Sequence, residues 1–433
     1  MAAAASPSIE FLLSLQRHGI KLGLESMRSL LAAMGDPHRS VRSIHIAGTN
    51  GKGSTAALTA SMLQAAGYRV GLYTSPHLID FHERIRIDCE PIPDDELARW
   101  TTRVRAACPP SLRPTFFEFT TAIAFAHFAA ASVDCAVIEV GLGGRFDATN
   151  VVTPLATCIT TIGMDHEAYL GHNLRSIAYE KAGIVKADVP LVVGRVADEA
   201  YEVIAHIATA RSAPLVRLGR DFDVAGTSAA DCTYRGPSGR RLTLRCPLRG
   251  RHQLDNLACA AALIDTVADR GLVCSDEAMQ RGAATVDWPG RVDIVATEPL
   301  TILDGAHNPA AAAALTDTLR ELRGTYPTAR VWALVGMMHD KDQRGFFEQL
   351  LPLVDELMLT VPNLPRAASL EYLRAALPPT APTPRLVPSV AHALREIRTL
   401  AAPTDLVCVT GSLMLIGEAK AALSGLSVSP LHG

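Results

Sequence analysis

The stretch Ser-Ile-His-Ile-Ala-Gly-Thr-Asn-Gly-Lys-Gly-Ser-Thr, residues 43–55, carries the clearest information on the fold. Its first five residues form a short apolar run that predicts a strand, and an Ala- and Leu-rich segment after Ser54 predicts a helix. Between them, glycines allow backbone N–H groups to converge on phosphate oxygens, and Lys52 supplies a mobile positive charge. The hydroxyl of Ser54 or Thr55 is placed for Mg²⁺. This strand–loop–helix unit predicts a phosphate-binding loop.

The loop departs from the common G-x-x-x-x-G-K-[ST] pattern. Ile46 stands where the first glycine belongs, and Gly53 separates Lys52 from Ser54. The alternative interpretation is a glycine-rich turn without a ligand, but Gly, Lys and Ser coincide in the expected strand–loop–helix context. We therefore predict a nucleotide site of an unusual subtype, in which these residues contact ATP: Thr49, Asn50, Gly51, Lys52, Gly53 and Ser54.

Short β-branched runs alternate with longer Ala- and Leu-rich segments, which is the pattern of an α/β protein with a mainly parallel sheet. The N-terminal strands are predicted at residues 43–47, 69–74, 135–140, 156–162 and 190–193. The helices are predicted at residues 54–66, 115–131 and 176–185. We interpret this part of the chain as a P-loop domain.

The sequence changes character between about residues 215 and 250. Segments 231–235 and 241–244 flank the sequence Gly-Pro-Ser-Gly and predict an antiparallel pair, which a helix at about 253–270 follows. A second alternating series then predicts strands at residues 301–303, 331–335, 357–360 and 406–410. In the helix after the first of these, Asn308 is the expected N-cap, Pro309 the first helical residue and Gly324 the stop. We predict a smaller Rossmann-like α/β C-terminal domain, with domains at residues 1–295 and 296–433.

Composition is consistent with two globular domains. The chain has 433 residues, 48% hydrophobic and 20% charged, and a formal charge of −3, so no basic surplus indicates nucleic acid or a membrane surface. Residues 1–6 lack the pattern of a signal peptide, and no apolar stretch is long enough to span a membrane. The nine scattered cysteines include Cys135, Cys158 and Cys408, which we interpret as small buried hydrophobes. We expect a cytoplasmic monomer.

Further motifs follow the loop in a fixed order. They are Thr-Ser-Pro-His at 74–77, Phe-His-Glu-Arg-Ile-Arg at 81–86, Glu-Val-Gly-Leu-Gly-Gly-Arg-Phe-Asp-Ala-Thr-Asn at 139–150, Ile-Gly-Met-Asp-His at 162–166, Glu-Lys-Ala-Gly-Ile at 180–184, Gly-Arg-His-Gln-Leu-Asp-Asn at 250–256, Trp-Pro-Gly-Arg at 288–291, Asp-Gly-Ala-His-Asn-Pro at 304–309, Asp-Lys-Asp at 340–342 and Gly-Ser-Leu at 411–413. From about residue 15 to 418, the chain resembles the folylpolyglutamate synthases and their relatives, the Mur-type amide ligases. The resemblance implies an ATP- and Mg²⁺-dependent ligase that joins L-glutamate to a folate-type carboxylate through an acyl phosphate.

Glu139 is the first candidate metal ligand. It ends a predicted buried strand, where an unpaired carboxylate would be costly and where α/β sheets bind ligands. The resemblance implies that Ser75 and His166 join it around Mg²⁺, beside Ser54. Without the resemblance, His166 reads as a structural cap.

Lys181 lies on a predicted helix, where the ordinary interpretation of a lysine is a solvated face. The resemblance implies instead that CO₂ carbamylates this side chain. The resulting anionic oxygens would be ligands for a second Mg²⁺.

The resemblance also assigns nucleotide and glutamate contacts. Asn256 would hold the adenine side and Arg291 the phosphates, while Asp304 would contact the ribose or orient the second domain. His307 would act in catalysis, together with Lys52 and Lys181, or in glutamate handling; the alternative is that it belongs to a helix cap. Ser412 would contact the incoming amino acid.

The acceptor site is expected on the first domain. By resemblance it involves residues 21–24, residues 115–118 with Phe116, Phe117 and Glu118, and residues 146–148 with Asp147. Phe116 and Phe117 would offer flat apolar surface to a pterin, or else belong to the core. Asp147 would accept hydrogen bonds from the pterin, or else only shape its loop. The implied substrates are dihydropteroate or folates, L-glutamate and ATP.

Three other functions remain as alternatives. They are a Mur-type ligase acting on another carboxylate, a P-loop ATPase without ligase activity, and a small-molecule kinase. Many bacterial members of the family that the chain resembles both make dihydrofolate and extend its glutamate tail, so the resemblance implies both reactions. A requirement for glutamate separates the ligases from the ATPase and the kinase.

Overall fold

The computed structural model describes residues 7–16, 19, 21 and 23–429. Within this part of the chain, the strands form sheets of eight, three and six strands. The helices are α1 (Pro7–Leu15), α2 (Glu25–Ala33), α3 (Lys52–Ala65), α4 (Asp94–Ala107), α5 (Phe116–Ala130), α6 (Glu167–Leu170), α7 (Leu174–Ala182), α8 (Asp198–Ala210), α9 (His252–Ala268), α10 (Asp276–Thr285), α11 (Pro309–Thr325), α12 (Gln343–Leu350), α13 (Leu370–Ala375), α14 (Val390–Leu400) and α15 (Leu413–Ser424).

The eight-stranded sheet contains the phosphate loop. Its strands are β1 (Ser43–Ala47), β2 (Val70–Tyr73), β3 (Ile85–Ile87), β4 (Glu90–Pro91), β5 (Cys135–Glu139), β6 (Ala156–Ile159), β7 (Leu191–Val193) and β8 (Leu215–Arg217). They are arranged in the order β4-β3-β2-β5-β1-β6-β7-β8. Only the pairs β2–β3 and β3–β4 are antiparallel, so the sheet is mainly parallel as predicted.

Helices cover both faces of this sheet, which explains its fully buried strands. In β5, Val137 packs into a core with α3 and α9, whereas Ala136 and Ile138 pack into a second core with α5. Helix α3 is buried on all sides from Gly53 to Leu63, which suits its small and apolar sequence. The phosphate loop is thereby followed directly by a buried helix.

The predicted antiparallel pair is present, and a third strand extends it. The strands are β9 (Asp223–Ser228), β10 (Asp231–Arg235) and β11 (Arg241–Leu244), paired antiparallel in the order β11-β10-β9. Cys232, Tyr234, Leu242 and Leu244 face the core next to α9, while their neighbours are exposed. This alternation is that of a sheet with one wet face.

The six-stranded sheet forms the C-terminal unit. Its strands are β12 (Asp293–Thr297), β13 (Leu300–Asp304), β14 (Val331–Val335), β15 (Glu356–Thr360), β16 (Arg385–Val387) and β17 (Leu406–Thr410), in the order β12-β13-β17-β14-β15-β16. All neighbours except β12 and β13 are parallel. The sheet begins at Asp293, and the domain division near residue 295 stays a prediction.

Several helix boundaries differ from expectation by a few residues, and two of them illustrate the local causes. Gly324 does not stop α11, which continues to Thr325; the N–H of Tyr326 then bonds back to the carbonyls of Arg323 and Leu322. A Cβ at Gly324 would meet nothing within 4 Å, and the residue lies within the helix; neither the available space nor a turn requires a glycine at this position. Helix α7 begins at Leu174 and not at residue 176, because the Asn173 side chain caps its first turn.

Two expectations from composition can be compared with the described residues. Cys135, Cys158 and Cys408 are buried free thiols, as interpreted. None of the helices in the described part of the chain has the length and apolarity needed to cross a bilayer. Residues 1–6 lie outside the described residues.

Candidate functional site

The phosphate loop lies at the carboxyl end of β1. Because β5 and β6 flank β1 in parallel, the ends of all three strands meet at one edge of the sheet, where α/β proteins bind ligands. Gly51 has a φ of +83°, and a Cβ there would lie 2.2 Å from Oδ1 of Asn256 on α9. Two residues predicted to bind the nucleotide are therefore in contact.

Hydroxyl groups after β6 hold the loop in place. Thr160 Oγ1 donates to the carbonyl oxygen of Asn50 at 2.6 Å, and Thr161 Oγ1 accepts from the N–H of Asn50 at 2.9 Å. Thr49 Oγ1 accepts from the N–H of Gly163 at 3.0 Å. Sequence analysis did not assign Thr160 or Thr161 a role; polar side chains at the end of a buried strand were the available signal.

Two lysines converge on the loop. Lys52, the first residue of α3, donates from Nζ to the carbonyl of Thr49 at 3.2 Å, and Lys181 donates to the carbonyl of Gly48 at 2.9 Å. Lys181 is only 5% exposed, so it does not lie on a solvated face. Burial, reinforced by the positive charge of Lys52, lowers the pKa of Lys181 to about 7. Burial also lowers the pKa of Lys52, although Glu139 and Asp165 oppose this effect.

Glu139 ends β5 beside the loop and is buried. Its Oε2 accepts a hydrogen bond from the N–H of Ser75 at 3.1 Å. Burial raises the pKa of the Glu139 carboxyl, and the ammonium of Lys52 opposes that rise. Glu139 and Ser75 line a groove together with Gly53 and Arg291, which brings four of the predicted site residues to one place.

The donor chemistry of this groove fits Mg²⁺. Mg²⁺ takes oxygen ligands, keeps several waters and uses one or two carboxylates with substrate phosphates. Glu139 supplies a buried carboxylate, and Ser75 adds a hydroxyl next to it; Ser54 is buried at the start of α3. The described residues contain no group of three or more His, Cys, Asp or Glu side chains arranged for a metal. A site here would therefore depend on phosphate oxygens as well.

Asp165 is the centre of a polar cluster between the two large sheets. Its Oδ1 lies 2.7 Å from Nζ of Lys341, and its Oδ2 lies 3.6 Å from Nε2 of His307 and accepts from Asn308 at 3.2 Å. Burial would raise the pKa of Asp165, but the hydrogen bond with His307 and the charge of Lys341 outweigh it and lower the pKa. Sequence analysis included Asp165 and Lys341 in motifs without giving either a role.

His166 occupies a helix-cap position, and its role as a metal ligand stays a prediction. Its backbone, with a φ of +50°, is the N-cap of α6, but its side chain makes no capping hydrogen bond. Its Nε2 lies 3.1 Å from Nζ of Lys341. Burial, and then the charge of Lys341, lowers the pKa of His166 to about 4, so the ring is neutral near pH 7 and able to accept a cation.

Asp304, at the end of β13, and the residues that follow it make hydrogen bonds to nearby backbone groups of the second unit. Asp304 accepts hydrogen bonds from the N–H groups of Val292 and Ala306, each at 2.9 Å. These bonds shape the backbone beside Arg291 and His307, while a ribose contact of Asp304 stays a prediction. Asn308 caps α11, with Oδ1 accepting from the N–H of Ala311 at 2.9 Å. His307 Nδ1 donates to the carbonyl of Gly305 at 2.8 Å.

A cavity of about 460 Å³ lies between the two units and shares Ser75 and Pro76 with the groove. The predicted site residues that line it are Ser75, Phe116, Phe117, Glu118, Asp147, His166, His307 and Ser412. Lys21 and Gly23 also line it, whereas Leu22 lies outside the described residues. Aromatic rings together with converging polar groups are typical of a small-molecule site.

The two carboxylates predicted for the acceptor side already have local partners. Glu118 forms a capping box with Thr115, whose N–H donates to Glu118 Oε2 at 2.7 Å. Asp147 accepts from the N–H of Leu142 at 2.9 Å and of Thr149 at 3.0 Å. These contacts favour the interpretation that Asp147 shapes its loop, and its contact with a substrate stays a prediction.

Protein-family models match most of the chain. The Mur ligase middle domain matches residues 46–264, and the Mur ligase glutamate ligase domain matches residues 290–413. The two matches cover the P-loop sheet and the C-terminal sheet in turn.

Curated relatives have similar sequences. The chain is 35% identical to the dihydrofolate synthase/folylpolyglutamate synthase of Bacillus subtilis, over 93% of this chain and 95% of that protein. It is 36% identical, over 98% of its length, to a bifunctional folylpolyglutamate synthase/dihydropteroate synthase of Haloferax volcanii. The chain spans only about half of that archaeal protein, 51%.

Solved structures have the same fold. The E. coli FolC complex with DHPP and ADP has a TM-score of 0.88 at 34% identity, over 98% of this chain and 99% of that one. A bifunctional folylpolyglutamate synthase/dihydrofolate synthase with Mn, AMPPNP and L-glutamate bound has a TM-score of 0.87 at 34% identity, over 97% and 98% of the two chains.

Proposed function

Because this chain belongs to the folylpolyglutamate and dihydrofolate synthase family of Mur-type ligases, we propose that it is an ATP-dependent ligase that joins L-glutamate to a folate-type carboxylate. The acceptor would be dihydropteroate, a folate, or both in turn. The observation that carries the proposal is the cavity that joins Ser75, beside the phosphate loop, to Phe116 of the first unit and to His307 of the second. The cavity and the groove share Ser75 and Pro76, so an acceptor in the cavity would lie next to a nucleotide at the groove.

The proposed reaction activates the acceptor carboxylate first. The carboxylate attacks the γ-phosphorus of ATP, which gives an acyl phosphate and ADP. The amine of glutamate then attacks the acyl carbon, and the tetrahedral intermediate expels phosphate to leave an amide. Neither step needs an oxidant or a covalent link to the protein.

The chain's own groups would stabilise the phosphoryl transfer. The loop N–H groups and the N-terminus of α3 would hold the phosphates, and Lys52 would offset charge on the group in transfer. Asn256 and Arg291 would contact the nucleotide, and Asp304 its ribose. We propose that Ser54, Ser75, Glu139 and His166, with a carbamylated Lys181, hold two Mg²⁺ ions. Bound Mg²⁺ supplies charge neutralisation at the phosphates.

The state of Lys181 supports its carbamylation. A neutral amine attacks CO₂ and releases a proton to give a carbamate, and a pKa of about 7 leaves much of Lys181 neutral at physiological pH. An ordinary surface lysine would be almost wholly protonated at that pH.

The second unit would deliver glutamate. His307 and Ser412 line the cavity from that side, and His307 already contacts Asp165 of the first unit. Contact between the units would exclude water that hydrolyses the acyl phosphate. We further propose a cytoplasmic monomer, which size-exclusion chromatography with light scattering would test, and a domain division near residue 295.

The test is ADP release by purified protein with Mg-ATP and L-glutamate, comparing dihydropteroate, tetrahydrofolate and no acceptor. The proposal predicts release only when glutamate and a pteroate-type acceptor are both present, and the active acceptor identifies the reaction. ADP release that does not depend on glutamate or on the acceptor would instead indicate an ATPase. Release with the acceptor alone, leaving a stable phosphate ester, would indicate a kinase.

A further inference from the structure

Arg84 is a buried cation at the inner wall of the cavity. It is the last residue of the short 3₁₀ turn Phe81–Arg84, it is 1% exposed, and it lines the cavity beside Phe116. The proposed roles above leave this residue unused.

No carboxylate among the described residues forms a direct ion pair with the guanidinium, although the charges of Glu139 and Glu83 act on it from farther away. Its Nε donates to Nδ1 of His77 at 2.9 Å, and its Nη2 is buried with no hydrogen-bond partner. The adjacent Glu83 is fully engaged elsewhere, because its carboxylate accepts from the N–H groups of Leu78, Ile79 and Asp80. Burial lowers the pKa of Arg84 to about 10, which leaves it charged at neutral pH.

Two aromatic rings fix the position of the guanidinium. Its central carbon lies 5.8 Å from the centroid of the Phe81 ring and 5.3 Å from that of Phe116. Phe81 packs behind it in the core, and Phe116 lines the cavity. Cation–π contacts of this kind hold an arginine but leave its N–H donors unsatisfied.

A buried charged group with an unsatisfied hydrogen-bond donor costs free energy, and a ligand that interacts with the charge would reduce this cost. We infer that Arg84 binds the acceptor substrate, donating from the part of its guanidinium that lines the cavity to the carbonyl oxygen of the fused pyrimidinone ring, while Phe116 contacts the ring. The inference rests on the proposed function. It favours the heterocycle over the acceptor's carboxylate, because the guanidinium packs on Phe116, at the aromatic end of the cavity.

Binding of substrate fragments tests this assignment. Hydroxymethylpterin carries the ring carbonyl without a carboxylate, and para-aminobenzoate carries a carboxylate without the ring. Titration calorimetry with dihydropteroate and with each fragment would compare wild type, Arg84→Met and Arg84→Lys. We expect the Kd for dihydropteroate and for hydroxymethylpterin to rise about 10- to 100-fold in Arg84→Met, with unchanged binding of para-aminobenzoate and ADP. Arg84→Lys should recover little, because lysine lacks the planar donor geometry.

Stability separates a binding role from a structural one. Without substrate, Arg84→Met should unfold at the wild-type temperature or above, since it removes an unpaired buried charge, and dihydropteroate should stabilise it less. Phe81→Leu removes one of the two rings that position Arg84 but keeps the guanidinium; it should lower the unfolding temperature and raise the Kd for dihydropteroate less than Arg84→Met does.

Three results would overturn the inference: wild-type pterin affinity in Arg84→Met, loss of para-aminobenzoate binding alone, or unfolding of both Arg84 variants. If wild type shows glutamate-dependent ADP release and Arg84→Met keeps its affinity for dihydropteroate, only this inference fails. If wild type shows no such release, the proposed function itself fails.

Discussion

Lys52 and Glu139 bring opposite charges together at the end of the central strands, and each affects the pKa of the other. We predict that Lys52→Ala and Glu139→Ala lower turnover by at least about 100-fold, because preorganised charge at the transferring phosphoryl group is lost. Glu139→Gln, which retains an acceptor for the N–H of Ser75, should be equally inactive. Steady-state ADP release and thermal unfolding measure the two effects. Loss of folding with unchanged turnover per folded molecule would refute these roles.

Gly51 tests the loop geometry. Gly51 and Gly67 have similar backbones, with φ of +83° and +92°, but a Cβ meets Asn256 at Gly51 and nothing within 4 Å at Gly67. Each Gly→Ala change should cost about 1–2 kcal/mol of stability from the left-handed backbone. Only Gly51→Ala should also weaken ADP binding, which calorimetry would detect. Equal ADP affinity in the two variants would show that the contact with Asn256 is unimportant.

At the scale of elements, β1 contains a buried histidine below the loop. His45 is fully buried, its Nε2 lies 2.8 Å from Oγ1 of Thr149, and burial lowers its pKa to about 3. The unfolded chain therefore binds a proton between about pH 6.5 and pH 3 that the folded chain does not, so stability falls as pH falls through that window.

His45→Gln should remove this loss. Between pH 7 and pH 5 we expect the free energy of unfolding to fall by about 2 kcal/mol less in His45→Gln than in wild type, as measured by urea denaturation. His206→Gln, at an exposed position on α8, is the control and should follow the wild-type pH dependence. Parallel pH profiles for wild type and His45→Gln would contradict the prediction.

Elements with a local signature were predictable. Strands β1, β10, β11, β14 and β17 lie where the sequence analysis put them, because apolar runs and turn residues report on short-range structure. Strands β3, β4, β8, β9, β12 and β16 were missed. Strand β12 is half-buried at the edge of its sheet and has an irregular register, and its apolar run covers only residues 294–296.

The site residues likewise fall into those that a local sequence pattern predicts and those that only the folded structure brings together. The phosphate loop is one contiguous segment, so its residues could be identified together. The pair of Asp165 and Lys341 joins positions 176 residues apart, and no local pattern reveals which lysine meets which carboxylate. Arg84 belongs to a motif, but the missing hydrogen-bond partner of its Nη2 is a property of the packed structure.

At the scale of the whole molecule, the cluster around Asp165 links the two units. The side chains of Asp165 and Lys341 are 8% and 9% exposed, and removing one partner of a buried ion pair costs about 3–5 kcal/mol. Lys341→Met should therefore weaken the contact between the units, seen as a larger radius of gyration in solution scattering. Arg320→Met removes an exposed ion pair within α11 and should change nothing. An unchanged radius of gyration in Lys341→Met would show that the cluster does not hold the units together.

The central claim is that the acceptor carboxylate is phosphorylated and then joined to glutamate. The most direct measurement follows a heavy-oxygen label placed in the carboxylate of dihydropteroate, or of a folate if that is the active acceptor. With Mg-ATP and L-glutamate, the account predicts that one labelled oxygen appears in the inorganic phosphate for each amide formed, as read by mass spectrometry. Unlabelled phosphate, with all of the label retained in the acceptor, would mean that water and not the carboxylate attacks ATP, and would contradict the account.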